Sequence, residues 1–153
     1  MADVYATIGI AKSLKAAQPK LMDYLLEHRN KNKIKALIDM INVKPLVHVS
    51  GMFSAWQGCV TWIAPMAWHP SNPNAVIAVD LHKDITPLLE LSAADLKTRL
   101  YTKKSELGSD TAVPVKLIHI NKCPILAPAA SLSDERAIAL GINRDRVMQY
   151  LQR

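Results

Sequence analysis

A chain of 153 residues, 50% of them hydrophobic and with a net charge of +6, holds enough apolar material for one real core and too much to stay disordered. Its two cysteines, Cys59 and Cys123, are too few for a disulfide framework and lack zinc-site spacing, so a reducing cytoplasm is expected. No apolar run approaches the ~20 residues of a membrane span and no signal peptide opens the chain, which leaves a soluble protein without a membrane partner as the expectation.

The excess charge has a location. Between Lys12 and Lys35, seven basic residues (Lys12, Lys15, Lys20, Arg29, Lys31, Lys33 and Lys35) stand against two acids, Asp23 and Glu27. Such a cluster suits a polyanionic partner, with a merely solvated surface as the competing reading.

In chain order, Ala2 to Ala17 reads as a helix, with Val4, Ile8 and Ala11 on one face and Lys12 and Lys15 toward the end that suits cations. Nothing but Met1 precedes it, so it is expected to be the last element of a unit whose earlier part is missing. Pro19 fits the first turn of a second helix that carries Leu21, Met22, Leu25 and Leu26 inward. Ile34, Leu37, Ile38 and Ile41 form a third apolar stripe, joined to the second by the polar run 28–33.

After Asn42 the period shortens. Runs 44–50, 59–64, 75–81 and 113–120 are short, rich in β-branched residues and bounded by Gly, Pro, Asn and Ser, with a fifth around Ile125 and Leu126; they predict a small, mostly antiparallel sheet closed as a barrel. Ser92 and Asp95 resemble a capping box opening a helical insertion, Leu96 to Tyr101. Ser133 is a plausible cap, Gly141 a stop, and Arg144 to Arg153 a closing helix.

Catalytic constellations are missing. Metal-dependent nucleases hold their ions with converging carboxylates, often paired as Asp-x-Glu on a strand, and no Asp-x-Glu or Asp-x-Asp occurs here. The isolated acids read as solvated surface charges, and His48 and His119, both on strands, as half-buried structural histidines. No phosphate loop, nucleophile elbow or dinucleotide fingerprint is present. What remains is the basic stretch with Trp56, Trp62 and Trp68, since aromatic faces beside cations suit a single-stranded nucleic acid. Core packing competes for each tryptophan, and Trp62 and Trp68 are the better stacking candidates. Asn121 and Lys122, just after a strand, form a polar pair at which a phosphate could sit.

The runs 1–8 (Met-Ala-Asp-Val-Tyr-Ala-Thr-Ile), 28–31 (His-Arg-Asn-Lys), 44–53 (Lys-Pro-Leu-Val-His-Val-Ser-Gly-Met-Phe), 67–70 (Ala-Trp-His-Pro) and 113–124 (Val-Pro-Val-Lys-Leu-Ile-His-Ile-Asn-Lys-Cys-Pro) closely resemble the bacterial exodeoxyribonuclease I family, and the likeness extends over the whole chain. The resemblance implies an α+β fold, a small SH3-like antiparallel β-barrel with flanking helices. Residues 1–35 would be the closing helices of a truncated DEDD-type exonuclease domain and its connection, 36–140 the barrel with its insertion, and 141–153 the start of a C-terminal helical domain.

It also implies Mg²⁺-dependent 3′→5′ degradation of single-stranded DNA to mononucleotides. Asp3 matches the family's last metal-binding acid; the histidine expected five residues earlier, and the other acids, would precede Met1. The chain alone therefore has no complete catalytic site, is expected to hold Mg²⁺ only weakly, and should not hydrolyse DNA. Lys31, Asn74, Lys116, Asn121 and Lys122 fall where the family's barrel approaches the strand, with Trp62 and His69 beside them. Tyr24, Lys44 and Arg144 match a pocket for the acidic C-terminal tail of single-strand DNA-binding protein, although Pro128 replaces a polar residue there. A module that binds this tail and touches DNA little is the alternative.

Overall fold

The first two helices form a hairpin whose sequence already limits its burial. In the computed structural model, which describes residues 2–152, α1 (Ala2–Ala17) buries none of its residues and packs against α2 (Pro19–Glu27). Pro19 starts α2 where its missing N–H costs nothing. Of the four residues expected inward, Met22 and Leu25 are half-buried while Leu21 and Leu26 stay exposed. Helix α3 (Lys31–Leu37) is capped by Asn30, whose side chain accepts from the Asn32 N–H at 2.9 Å. It begins inside the run expected as a joint and ends before Ile38 and Ile41, and Ile41 is left exposed.

Five strands follow: β1 (Leu46–Val49), β2 (Val60–Trp68), β3 (Ala75–Asp80), β4 (Val115–His119) and β5 (Ile125–Pro128). They make one antiparallel sheet in the order β4-β3-β2-β1-β5. The expected closure into a barrel does not occur. Among the described residues β4 and β5 are edges that do not pair with one another, and helices cover the two faces instead. A register shift between Pro65 and Ala67 leaves Met66 as an extra, exposed residue in β2, a bulge that bends the strand.

Because successive strand residues point to opposite faces, the apolar runs feed two cores. Val47, Trp62, Ala64, Val79 and Leu81 pack with Leu132, Ala137, Ile142 and Val147, the last three from the region of α6 (Asp134–Ala139) and α7 (Arg144–Leu151). Leu46, Ile63, Val76, Ala78, Ile118 and Leu126 pack on the other face around Ile34 of α3. This two-sided burial explains why the strands read as continuous apolar runs.

Between β3 and β4 lie α4 (Thr86–Glu90) and α5 (Ala93–Tyr101); only the second was expected. Ser92 caps α5, accepting from the Asp95 N–H at 3.2 Å and donating to its carboxylate at 2.6 Å. Ser133 and Asn143 cap α6 and α7. Gly141, at φ 69°, ends α6 in the left-handed region that favours glycine. Arg153, the expected last residue of the closing helix, lies outside the described residues. No helix described is long and apolar enough to cross a membrane.

Candidate nucleic-acid interface

Four of the sequence-selected residues meet at one end of the sheet. Asn74 lies in the turn entering β3, and its backbone carbonyl accepts from the Ile120 N–H at 2.9 Å, tying that turn to the exit of β4. Asn121 and Lys122 follow at once, both exposed, in a turn closed by Lys122 N–H on His119 O at 3.1 Å. From the first turn of α3, Lys31 reaches across to donate to Asn74 Oδ1 at 3.5 Å. Local sequence sets each position: the Asn30 cap fixes where Lys31 emerges, and Asn72 Oδ1 accepts from the Asn74 N–H at 3.0 Å to shape the turn. Among the described residues neither Lys31 nor Lys122 has an acidic partner, whereas Lys33 is paired with Glu27 at 2.9 Å.

Lys116 stands apart, toward the other end of β4. Its ammonium donates to Ser50 Oγ at 2.8 Å and lies 4.1 Å from the centre of the Phe53 ring. Burial lowers its pKa, with Asp80 opposing and Lys83 adding to the shift. Lys116 thus anchors the loop after β1 as well as carrying charge. Neither Ser50 nor Phe53 was singled out from sequence, because no local signal marks a partner that lies more than sixty positions away.

Trp62 does not reach the surface. It is 4% exposed, part of the first core, and its indole N–H donates to Ala129 O at 3.2 Å. Stacking on a base would require pulling it from that core, so its expected place beside the DNA residues is corrected to a structural one. Trp68 is half-buried under Lys35, whose Nζ lies 5.4 Å from the ring centre; Trp56 is 95% exposed. His69 is half-buried, its Nδ1 accepting from Ser71 N–H at 3.3 Å.

Of the three residues chosen for an acidic tail, Tyr24 and Arg144 line two different grooves and Lys44 lines neither. The Tyr24 hydroxyl donates to Leu126 O at 2.7 Å and its ring stacks on His28 at 3.9 Å. It lines a groove of about 430 Å³ between the helical hairpin and β5. Arg144 lines a separate apolar groove of about 440 Å³ with Pro45, Leu132 and Val147, and pairs with Asp134. Lys44 precedes Pro45 and sits 3.4 Å from Asp39. Hydrogen bonds from Asn42 hold the Asp39 carboxyl down to about 2.

Asp3 is exposed in the first turn of α1. No group of three or more His, Cys, Asp or Glu side chains that could hold a metal ion occurs among the described residues. The described residues do not by themselves assemble a magnesium centre. One acid departs from the expected surface role: Asp80 is 4% exposed, accepting from Thr61 Oγ1 at 2.8 Å and from the His82 N–H at 3.1 Å. Its alternation with Val76 and Ala78 was the signal for an inward carboxylate.

Fold and site together define an α+β module built on an open antiparallel sheet, with cations and amides gathered at one sheet end. The chain belongs to the Exonuclease I SH3-like domain family, whose model matches residues 29–153. It is 61% identical over 152 residues to exodeoxyribonuclease I of Escherichia coli K12, covering 99% of this chain and 32% of that protein. With the Haemophilus influenzae exodeoxyribonuclease I the identity is 54% over 153 residues, covering 99% and 32%. Among solved structures, E. coli exonuclease I in complex with a dA16 oligonucleotide superposes with a TM-score of 0.97 at 61% identity, over 99% of this chain and 33% of that one. A metal-free E. coli ExoI–ssDNA complex gives the same values. The chain thus spans about a third of the length of the relatives it matches.

Proposed function

We propose that this chain guides and clamps single-stranded DNA for a 3′→5′ exonuclease of the exodeoxyribonuclease I type, acting in the bacterial cytoplasm and releasing mononucleotides. The observation that carries the reading is the convergence of Lys31, Asn74, Asn121 and Lys122 on one sheet end. Relatives of nearly the same backbone have been solved with single-stranded oligonucleotides, which supports the same ligand here. The two lysines neutralise successive phosphates, the two amides offer neutral donors and acceptors beside them, and Lys116 extends the track along the β4 edge.

Hydrolysis belongs to a Mg²⁺ centre to which this chain brings Asp3 at most. Residues 1–35 serve as closing helices of the nuclease domain, 36–140 as the SH3-like unit, and 141–153 as the start of a helical domain.

A second reading has its own observation: Arg144 and Pro45 line one apolar groove, and Lys44 directly precedes Pro45 in the chain. That pairing of cations with an apolar slot suits the acidic C-terminal tail of single-strand DNA-binding protein; Tyr24 would take part from the neighbouring groove. Fluorescence anisotropy of a labelled oligo(dT) and of an acidic tail peptide tests both. The strand-guiding reading expects oligonucleotide binding that weakens steeply with salt; a chain that binds the peptide and ignores oligonucleotides at low salt would refute it. Incubation with labelled single strands and Mg²⁺ should release no mononucleotides.

A further inference from the structure

The β1–β2 loop carries the most exposed tryptophan of the chain on a framework with little freedom. Trp56 is 95% exposed and Met52 86%, yet backbone hydrogen bonds close the chain on both sides of Trp56. Phe53 N–H donates to Ser50 O at 3.0 Å, Gln57 and Cys59 N–H both donate to Ser54 O at 3.1 Å, and Gly58 N–H donates to Ala55 O at 2.9 Å. Gly58 and Cys59 sit at φ 60° and 58°, which turns the chain sharply into β2. A Cβ at position 58 would lie 3.2 Å from Leu140 Cδ2, so the far foot of the loop rests against the helical side. The near foot is held by Lys116 through Ser50 and Phe53. The loop therefore wraps the end of the sheet and presents an indole from a fixed turn.

The surroundings select the partner. A groove of about 350 Å³ runs from Met52 and Phe53 to Lys83, Lys116 and Leu117 along β4. Its one acid, Asp80, is buried, its Oδ1 accepting from Thr61 and the His82 N–H and its Oδ2 lying 3.8 Å from the exposed Lys83 ammonium. The groove opens at Met52 and Phe53 on the same loop that carries Trp56 three positions further on, and an exposed aromatic face on a loop that borders a cationic, acid-poor groove fits a ligand made of π-faces strung on phosphates. Duplexes hide those faces. The geometry points to Trp56 as a base-stacking platform for single-stranded DNA, with Lys83 and Lys116 contacting the phosphates next to the stacked base.

This rests on the strand-guiding reading and extends its track beyond Lys116. Lys31, Asn74, Asn121 and Lys122 lie at one end of β4 and Lys116 toward the other; the five residues of β4 span ~17 Å. A strand following that edge arrives at the β1–β2 loop.

The test uses oligo(dT), with Trp56→Ala and Trp56→Phe compared to the parent chain. Position 56 is nearly fully exposed, so both variants should keep the parent's thermal midpoint. Oligonucleotide addition should quench the parent's tryptophan emission, and the quench should vanish in Trp56→Ala. Affinity should fall by roughly 5- to 150-fold in Trp56→Ala and by less in Trp56→Phe. The slope of affinity against salt should stay unchanged, because stacking releases no counterions. Equal affinity of parent and Trp56→Ala overturns this inference and leaves strand guiding intact; a parent that binds no oligonucleotide overturns both. A parent dimer that dissociates in Trp56→Ala, with DNA affinity unmoved, would give the indole to a second copy and also overturn it.

Discussion

Replacing Thr61 by valine should cost the full worth of a hydrogen bond to a buried charge. The Asp80 carboxylate lies inside the sheet's second face, and both of its short bonds fall on Oδ1, from Thr61 Oγ1 at 2.8 Å and His82 N–H at 3.1 Å. Its other oxygen has Lys83 at 3.8 Å, a side chain 57% exposed, and so worth little after screening. Valine keeps the shape of threonine and removes the donor. Thr61 is 0% exposed, so water cannot take the place of its hydroxyl. A hydrogen bond to a charged group contributes about 1.5–3 kcal/mol, and that whole amount should be lost.

The control is Thr86→Val. Thr86 makes the same kind of bond, Oγ1 to Asp84 Oδ1 at 2.6 Å, but both residues are exposed; water substitutes there, and the change should stay within about 0.5 kcal/mol. Urea unfolding followed by circular dichroism reads both. Thr61→Val should lower the midpoint with an unchanged m-value. Equal losses in the two variants, or a loss below about 0.5 kcal/mol in Thr61→Val, would refute the reasoning.

His48 is 4% exposed and donates from Nδ1 to Ile125 O at 2.9 Å, and burial lowers its pKa, as it does that of His82. The unfolded chain then takes up protons the folded one refuses. Stability should be flat above pH ~7.5 and fall on acidification from about 6.5, by at most ~1.4 kcal/mol per pH unit for His48; a midpoint that rises between pH 7 and 5.5 contradicts this. Lys31→Ala and Lys122→Ala should each flatten the log–log salt dependence of oligo(dT) binding by about 0.7, measured by anisotropy between 50 and 200 mM salt; parallel lines for parent and variants would take these lysines out of the track. Leu126→Ala, at a position 1% exposed, should cost about 2–5 kcal/mol in urea unfolding, and a loss under 1 kcal/mol would mean that β5 does not close the second core.

The strands were legible because β-branched runs between Gly, Pro and Asn have few other uses: four of the five lie within two residues of their expected bounds, and β2 runs four residues past its expected end. Closure was not. Period-two patterning says which side chains share a face, not whether the outer strands find each other. The two helical layers that substitute for closure come from Ile34 and from Ala137 to Val147, distant segments whose faces the sequence leaves unassigned. The same limit governs the site. Lys31, Asn74, Asn121 and Lys122 could be chosen singly, while their meeting depends on the Asn74–Ile120 backbone bond. Trp62 and Trp56 show the cost of residue type without context: the better-looking stacking candidate is in the core, and the one ranked below it stands in solvent.

The β4 edge has a consequence beyond ligand binding. An open strand edge invites another strand to pair with it, and Leu117 there is 41% exposed. Cations on or beside such an edge repel an incoming copy of the same strand. Lys116 and Lys122 therefore also discourage self-association, and chains stripped of both would gain a tendency to join edge to edge in a seam between identical molecules.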